Sequence, residues 1–158
     1  MSCRRLSGRP LGWLPAVVLL TAAGCSATGG AARVAVPSPP QKEAALCGSL
    51  HQELPEKVAG LGREDPAPRS ELTAGWGDGA IVLRCGVPRP DRMSDPQARG
   101  VEVNGVNWML EERDSGPRFT TTYRETYVEV SLSTRFTHDA GPLTELAGPV
   151  ARTVPSSL

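Results

Sequence analysis

The sequence predicts one α+β domain, an antiparallel sheet of about five strands with an N-terminal and a C-terminal helix packed on one face. Apolar residues recur at helical spacing near both ends of residues 43–158, and they alternate at period two in between. A segment of this length accommodates one hydrophobic core and no second domain.

The chain begins with the features of an export signal. Three arginines precede an apolar run over 11–23, which is shorter than the roughly 20 residues of a membrane span. Small residues come directly before Cys25, as attachment of lipid to a cysteine requires. We therefore expect residues 1–24 to be a lipoprotein signal peptide and Cys25 to carry the lipid.

A soluble secreted protein, cut near the same place, is the alternative to lipidation. It would leave Cys25 as a free thiol in an oxidising compartment, which is unfavourable. Two or more acyl chains, at ~0.8 kcal/mol per buried methylene, would hold the mature chain at the membrane. Residues 25–42 are rich in glycine, proline and small side chains, and we expect a flexible tether there, ahead of the domain at 43–158.

The first predicted helix lies at the start of the domain. Its apolar stripe comprises Cys47, Leu50, Leu54, Val58 and Leu61. Proline disfavours helix for the residue before it, so Pro55 predicts a helix that ends near Glu53 and a short helical continuation beginning at Pro55.

The middle of the chain has the period of a β-strand. Strands are predicted over 73–76, 80–85, 101–112, 118–123 and 127–132. Gly77-Asp78-Gly79 predicts a hairpin turn, and Asn104-Gly105 indicates a turn just before Val106. Residues 87–100 are polar and contain three prolines, so we expect a long loop of the kind that is often functional.

A second helix is predicted near the C-terminus. Its apolar stripe comprises Leu143, Leu146, Ala147 and Val150. We expect Pro149 to shorten this helix, because proline removes a backbone hydrogen bond from the helix interior.

Cys47 and Cys85 are predicted to form one disulfide. Cys47 lies on the first helical stripe, and Cys85 shares a strand face with Ile81 and Leu83. A pair of cysteines outside the cytoplasm favours a disulfide, whose loop of roughly 38 residues would stabilise the fold by about 4 kcal/mol. A redox pair, the alternative, favours the close Cys-x-x-Cys spacing, which is absent.

Charge and motifs restrict the function classes. The mature chain would carry 14 basic and 17 acidic residues, a formal charge of −3, which disfavours nucleic acid as a ligand. His51 and His138 are the only histidines and do not cluster in the sequence, so we expect no metal site and no cofactor. No nucleophile or phosphate-loop motif occurs, so we predict no catalytic residues. We expect a charged outer sheet face made by Arg118, Arg124, Glu125, Glu129 and Arg135.

Trp76 and Trp108 are the large aromatic residues of the domain. Such residues usually belong to the core. The alternative is that one of them lines a groove beside residues 87–100 and contacts a ligand or partner.

Several segments together resemble a known family. They are Cys47 with Leu50 and Leu54-Pro55, Trp76-Gly77-Asp78, residues 81–88, residues 105–108, and residues 118–121 running to 127–130. These segments, which span most of the domain, resemble an uncharacterised actinobacterial lipoprotein family, domain of unknown function 3515. The resemblance implies an exported, membrane-anchored protein of a Gram-positive bacterium and supports the paired cysteines, but it implies no activity.

The anchor, the tether and the small disulfide-bonded domain favour a non-enzymatic function. We expect a binding domain at the outer face of the cytoplasmic membrane, with an envelope protein or a cell-wall component as partner. An enzyme or enzyme accessory is the alternative, acting on cell-wall or lipid-linked precursors through an Arg/Glu cluster. A chiefly structural envelope component is the third hypothesis.

Overall fold

The computed structural model describes residues 32–158. Two α-helices and eight strands occur in this part of the chain. In chain order they are α1 (Gln41–Glu53), β1 (Lys57–Val58), β2 (Leu61–Gly62), β3 (Thr73–Trp76), β4 (Ile81–Val87), β5 (Arg99–Val103), β6 (Val106–Glu111), β7 (Arg118–Thr121), β8 (Tyr127–Leu132) and α2 (Leu143–Thr153). Short 3₁₀ turns lie at Asp91–Ser94 and Thr134–Phe136.

The main sheet has the strand order β3-β4-β8-β7-β6-β5, and every neighbouring pair is antiparallel. Strands β1 and β2 form a separate two-stranded ribbon. Both helices share one hydrophobic core with one face of the main sheet. The predicted α+β class, with an antiparallel sheet and helices at both ends of the domain, is confirmed.

The predicted disulfide is also confirmed. Cys47 of α1 is bonded to Cys85 of β4, with 5.5 Å between their Cα atoms. Both cysteines are buried in the core. The bond therefore joins the helical layer to the sheet through the middle of the domain.

The sheet has one strand more than the sequence predicts. Asn104 and Gly105 have φ values of 48° and 78°, which is the left-handed geometry of a two-residue hairpin turn. This turn pairs Val103 with Val106 and makes β5 the edge strand of the sheet. Residues 99–100, predicted as loop, belong to β5 because β6 supplies their hydrogen-bond partners.

The chain after α1 differs from the prediction. The helix ends at Glu53 as expected, but no helical continuation follows Pro55. A tight turn with Ala59 at φ 49° and Gly60 at φ 76° joins β1 to β2 instead. The Ala59 amide donates a hydrogen bond of 2.7 Å to Glu145 Oε1 of α2. This hydrogen bond ties the turn to α2.

Pro149 does not shorten α2, and that expectation is wrong. The helix continues past Pro149 to Thr153, whose hydroxyl donates to the Pro149 carbonyl at 2.8 Å. A proline inside a helix costs about 3 kcal/mol. Pro149 is itself buried, beside the buried stripe that contains Leu146 and Val150, and this packing offsets the cost.

The N-terminal part of the described chain lies along the domain. The Val34 amide donates a hydrogen bond of 3.0 Å to the Ala67 carbonyl, and the Ala67 amide donates one of 2.8 Å to the Ala32 carbonyl. Pro39 lies against Gly86, which has φ 83° at a β-bulge of β4. Residues 32–40, within the predicted tether, therefore contact the domain.

The predicted signal peptide and Cys25 lie outside the described residues. Within residues 32–158, no helix is both long enough and apolar enough to cross a membrane.

Candidate functional site

The connection between β4 and β5 forms one side of a large concave surface. These two strands run parallel, and β8, β7 and β6 lie between them. Residues 88–98 therefore cross from the middle of the sheet to its edge. Trp108 of β6 belongs to the core, so the next residue, Met109, lies on the face opposite the helices, here called the outer face. Because Met93 and Ala98 line one groove with Met109, residues 88–98 cross this outer face.

The groove has a volume of about 610 Å³. Its floor is the outer face of β5 and β6, formed by Gly100, Glu102, Asn107 and Met109. The crossing connection forms one wall with Arg89, Met93, Asp95 and Ala98. The other wall contains Thr122, Tyr123, Tyr127 and Ser157.

The groove is lined by tyrosine and methionine side chains that are rare in this chain. The chain has two tyrosines, Tyr123 and Tyr127, and both line it. Met93 and Met109 are the only methionines after Met1, and both line it as well. Tyrosine combines an apolar ring with a polar tip, and methionine adapts its shape to a neighbour, so both residue types are common on binding surfaces.

Tyr123 is the most exposed aromatic residue of the groove. Its relative exposure is 56%, and its φ of 57° lies in the left-handed region that non-glycine residues rarely adopt. Its carbonyl accepts hydrogen bonds from the Ser157 amide at 3.0 Å and the Ser156 hydroxyl at 3.3 Å. The C-terminal segment thus holds a strained residue at the rim of the groove, and such strain is concentrated at functional sites.

The charged groups of the groove differ in how they are engaged. Asp95 accepts a hydrogen bond from the Gln97 amide and pairs with Arg92 at 3.4 Å. Arg89 donates to the Ser94 hydroxyl at 2.9 Å and forms no ion pair within residues 32–158. The guanidinium of Arg89 is therefore the cation at the groove that no described carboxylate neutralises.

The two tryptophans do not present their rings to this groove. Trp76 is 0% exposed, and its Nε1 donates to the Pro55 carbonyl at 2.9 Å. Trp108 borders the groove along β6, but it is 1% exposed and packs in the core. A groove does lie beside residues 87–100, as the alternative hypothesis for Trp76 and Trp108 supposed. Its solvent-accessible aromatic side chains are Tyr123 and Tyr127, which belong to no recognisable binding motif in the sequence.

The part of the expected charged outer face around Glu129 is an ion-pair cluster whose central carboxylate is buried. Glu129, 6% exposed, lies 3.2 Å from Arg84 Nε and 3.1 Å from an Nη of Arg118. Arg118 also pairs with Glu111 at 3.1 Å. Because Glu129 is enclosed between two guanidinium groups, its carboxylate is not free to contact a substrate.

The remaining residues of that expected face have other partners. Arg124 donates to the carbonyls of Val154 and Gly105, and Arg135 lies over the ring of Phe136. Glu125 forms an ion pair with Lys42, with 2.8 Å between Glu125 Oε2 and Lys42 Nζ. The hydrogen bond and charge of Glu125 raise the pKa of exposed Lys42 above its usual value.

Neither histidine lines the groove. His51 lies 3.2 Å from an Nη of Arg63, and His138 lines a smaller pocket at the rim of the core. Among residues 32–158, no three His, Cys, Asp or Glu side chains cluster in a way that could hold a metal ion.

Comparison with known proteins identifies one family. A search of curated proteins and a search of solved structures each found no match. The family model described as "Protein of unknown function (DUF3515)" matches residues 13–158, which include the groove, the disulfide and the ion-pair cluster. The chain therefore belongs to this family of proteins of unknown function.

Proposed function

We propose that the mature chain is a lipid-anchored, non-enzymatic binding domain of the cell envelope. Cys25 would hold it at the extracytoplasmic face of the cytoplasmic membrane. The groove of the outer face would bind an envelope protein or a cell-wall component. One observation carries the proposal: both tyrosines and both internal methionines of the chain line the groove.

The groove suits binding better than it suits acid/base catalysis. Its described carboxylates support the local backbone, since Glu102 accepts a hydrogen bond from the Gly105 amide and Asp95 accepts one from the Gln97 amide. The enzymatic alternative requires an Arg/Glu cluster. The cluster present is centred on Glu129, whose carboxylate is buried between Arg84 and Arg118. The lining mixes polar side chains with the tyrosine and methionine side chains, and such a mixture is common on protein-binding surfaces.

The anchor is tested by fractionation of the native cells. Wild-type protein is expected in the membrane fraction, and the Cys25→Ser variant in the medium or the soluble fraction. Membrane association of Cys25→Ser equal to that of the wild type would contradict the anchor.

The groove is tested by cross-linking in the same cells, followed by mass spectrometry. Tyr123→Ala removes the exposed ring, whereas the control Gln52→Ala changes an exposed residue of α1. We expect a captured envelope component that is lost in Tyr123→Ala and kept in Gln52→Ala. Equal capture by both variants would show that the groove does not bind it.

A further inference from the structure

A second concave site lies where β8 ends and β7 begins. It has a volume of about 210 Å³, and the turn before β7, the exit of β8 and the β3–β4 turn surround it. At about 30 Å³ per water molecule, this space holds roughly seven waters. It therefore accommodates a small polar group, and the pocket is open to solvent on one side.

The lining of this pocket combines positive charge with hydroxyl groups. Arg113 and Arg118 line it together with Ser115, Ser131 and Ser133. Arg113 and Ser115 are exposed and Ser131 and Ser133 are half-buried, so these groups are accessible to a ligand, and Arg113 forms no ion pair within residues 32–158. Guanidinium and hydroxyl donors around one small cavity are complementary to an oxyanion.

The two arginines have different environments. Arg118 is held in place by Glu111 at its Nε and Glu129 at one Nη, and these two carboxylates balance its charge. Its other Nη makes no ion pair with residues 32–158. Arg113 therefore supplies the unbalanced charge of the pocket, while Arg118 contributes a fixed donor.

The turn that carries Arg113 packs closely against the end of β8. Gly116 has φ 113°, and a Cβ at this position would overlap the carbonyl group of Leu132. The Leu132 amide donates to the Pro117 carbonyl at 2.9 Å, which ties the turn to the end of β8. The backbone beside Arg113 and Ser115 is thus already placed around the cavity before any ligand binds.

The pocket also lies near the point where the described chain begins. Gly79 lines the pocket, and a Cβ on Gly79 would lie 2.8 Å from the Cβ of Ala32. Ala32 follows Cys25 by seven residues. At about 3.5 Å per extended residue, a lipid on Cys25 would lie within roughly 25 Å of Ala32. This placement near the membrane rests on the proposed anchor, whereas the chemistry of the pocket does not.

We propose that this pocket binds a phosphate group. Arg113 provides the charge, and the hydroxyls of Ser115, Ser131 and Ser133 donate hydrogen bonds to the phosphate oxygens. The phosphate belongs either to an anionic lipid headgroup or to a soluble phosphate ester, since both present the same oxygens.

Titration with inorganic phosphate tests the chemistry. The full chain with Cys25→Ser, which carries no acyl group, is followed by ¹H–¹⁵N NMR. Saturable shifts are expected at residues 113–118 and 131–133. Arg113→Gln is expected to weaken binding about tenfold or more, because a charge-assisted hydrogen bond is lost. The control Arg69→Gln makes the same charge change at another exposed arginine and leaves the affinity unaltered. Ser131→Ala combined with Ser133→Ala keeps the charge and weakens binding several-fold.

Co-sedimentation with phosphatidylcholine vesicles, with and without phosphatidylglycerol, separates the two sources. Binding to phosphatidylglycerol that depends on Arg113 assigns the site to a headgroup. Phosphate binding without vesicle binding assigns it to a soluble ester. Absence of both, or equal weakening by Arg113→Gln and Arg69→Gln, would overturn the proposal. Tyr123→Ala is expected to retain phosphate binding, so the pocket and the groove fail or succeed independently.

Discussion

Two adjacent threonines of β7 are expected to respond in opposite directions to the same substitution. Thr120 and Thr121 are both 0% exposed. The Thr121 hydroxyl accepts a hydrogen bond of 2.9 Å from the buried Val128 amide. The Thr120 hydroxyl, which faces the outer side, has no hydrogen-bond partner. Valine has nearly the shape of threonine, so replacement changes the hydrogen bonding and little else.

The magnitudes follow from these two environments. Thr121→Val leaves the Val128 amide buried without an acceptor, which costs about 1–3 kcal/mol of unfolding free energy. Thr120→Val removes a buried hydroxyl that has no partner, and we expect a gain of about 1 kcal/mol. The melting temperature would move by roughly 4 °C per kcal/mol in a domain of this size.

Urea unfolding of both variants, with the disulfide intact, measures these free energies. The midpoints are expected to shift in opposite directions while the slope m stays constant. Destabilisation by Thr120→Val as large as that by Thr121→Val would refute the reasoning, because it would mean that the Thr120 hydroxyl has a partner such as a buried water.

Four other changes test the packing of the domain by the same unfolding assay. Glu129→Gln removes the buried carboxylate of the ion-pair cluster and should cost about 3 kcal/mol, whereas Glu125→Gln at the exposed Lys42 pair should leave the free energy of unfolding nearly unchanged. Equal costs would contradict the role of burial. Reduction of Cys47–Cys85 should lower the free energy of unfolding by about 4 kcal/mol. An unchanged urea midpoint would contradict a stabilising role of the disulfide. Gly86→Ala should cost more than about 1 kcal/mol of unfolding free energy, since φ is 83° and Pro39 fills the adjacent space. An unchanged free energy of unfolding would mean that Pro39 moves away from the new methyl group.

Local sequence effects were sufficient for part of the fold. Pro55 excludes helical geometry from the residue before it, so the end of α1 at Glu53 follows from the chain alone. Gly77-Asp78-Gly79 adopts the left-handed conformations that these residue types tolerate, and it joins β3 to β4. The Cys47–Cys85 bond follows because two strong periodic patterns place both side chains on core faces.

The surroundings of each face were decided only by the tertiary structure. Alternation predicts that Thr120 and Glu129 face away from the helices, but it does not predict that they are buried there. Likewise, Tyr123 and Tyr127 line the groove but belong to neither of the strands that form its floor. Periodicity is a property of one segment, whereas burial and site geometry depend on which distant segments cover it. The sequence by itself therefore determined the fold class, the disulfide and the first helix end. The crossing of residues 88–98 over the sheet, and with it the groove, came from packing between segments far apart in the chain.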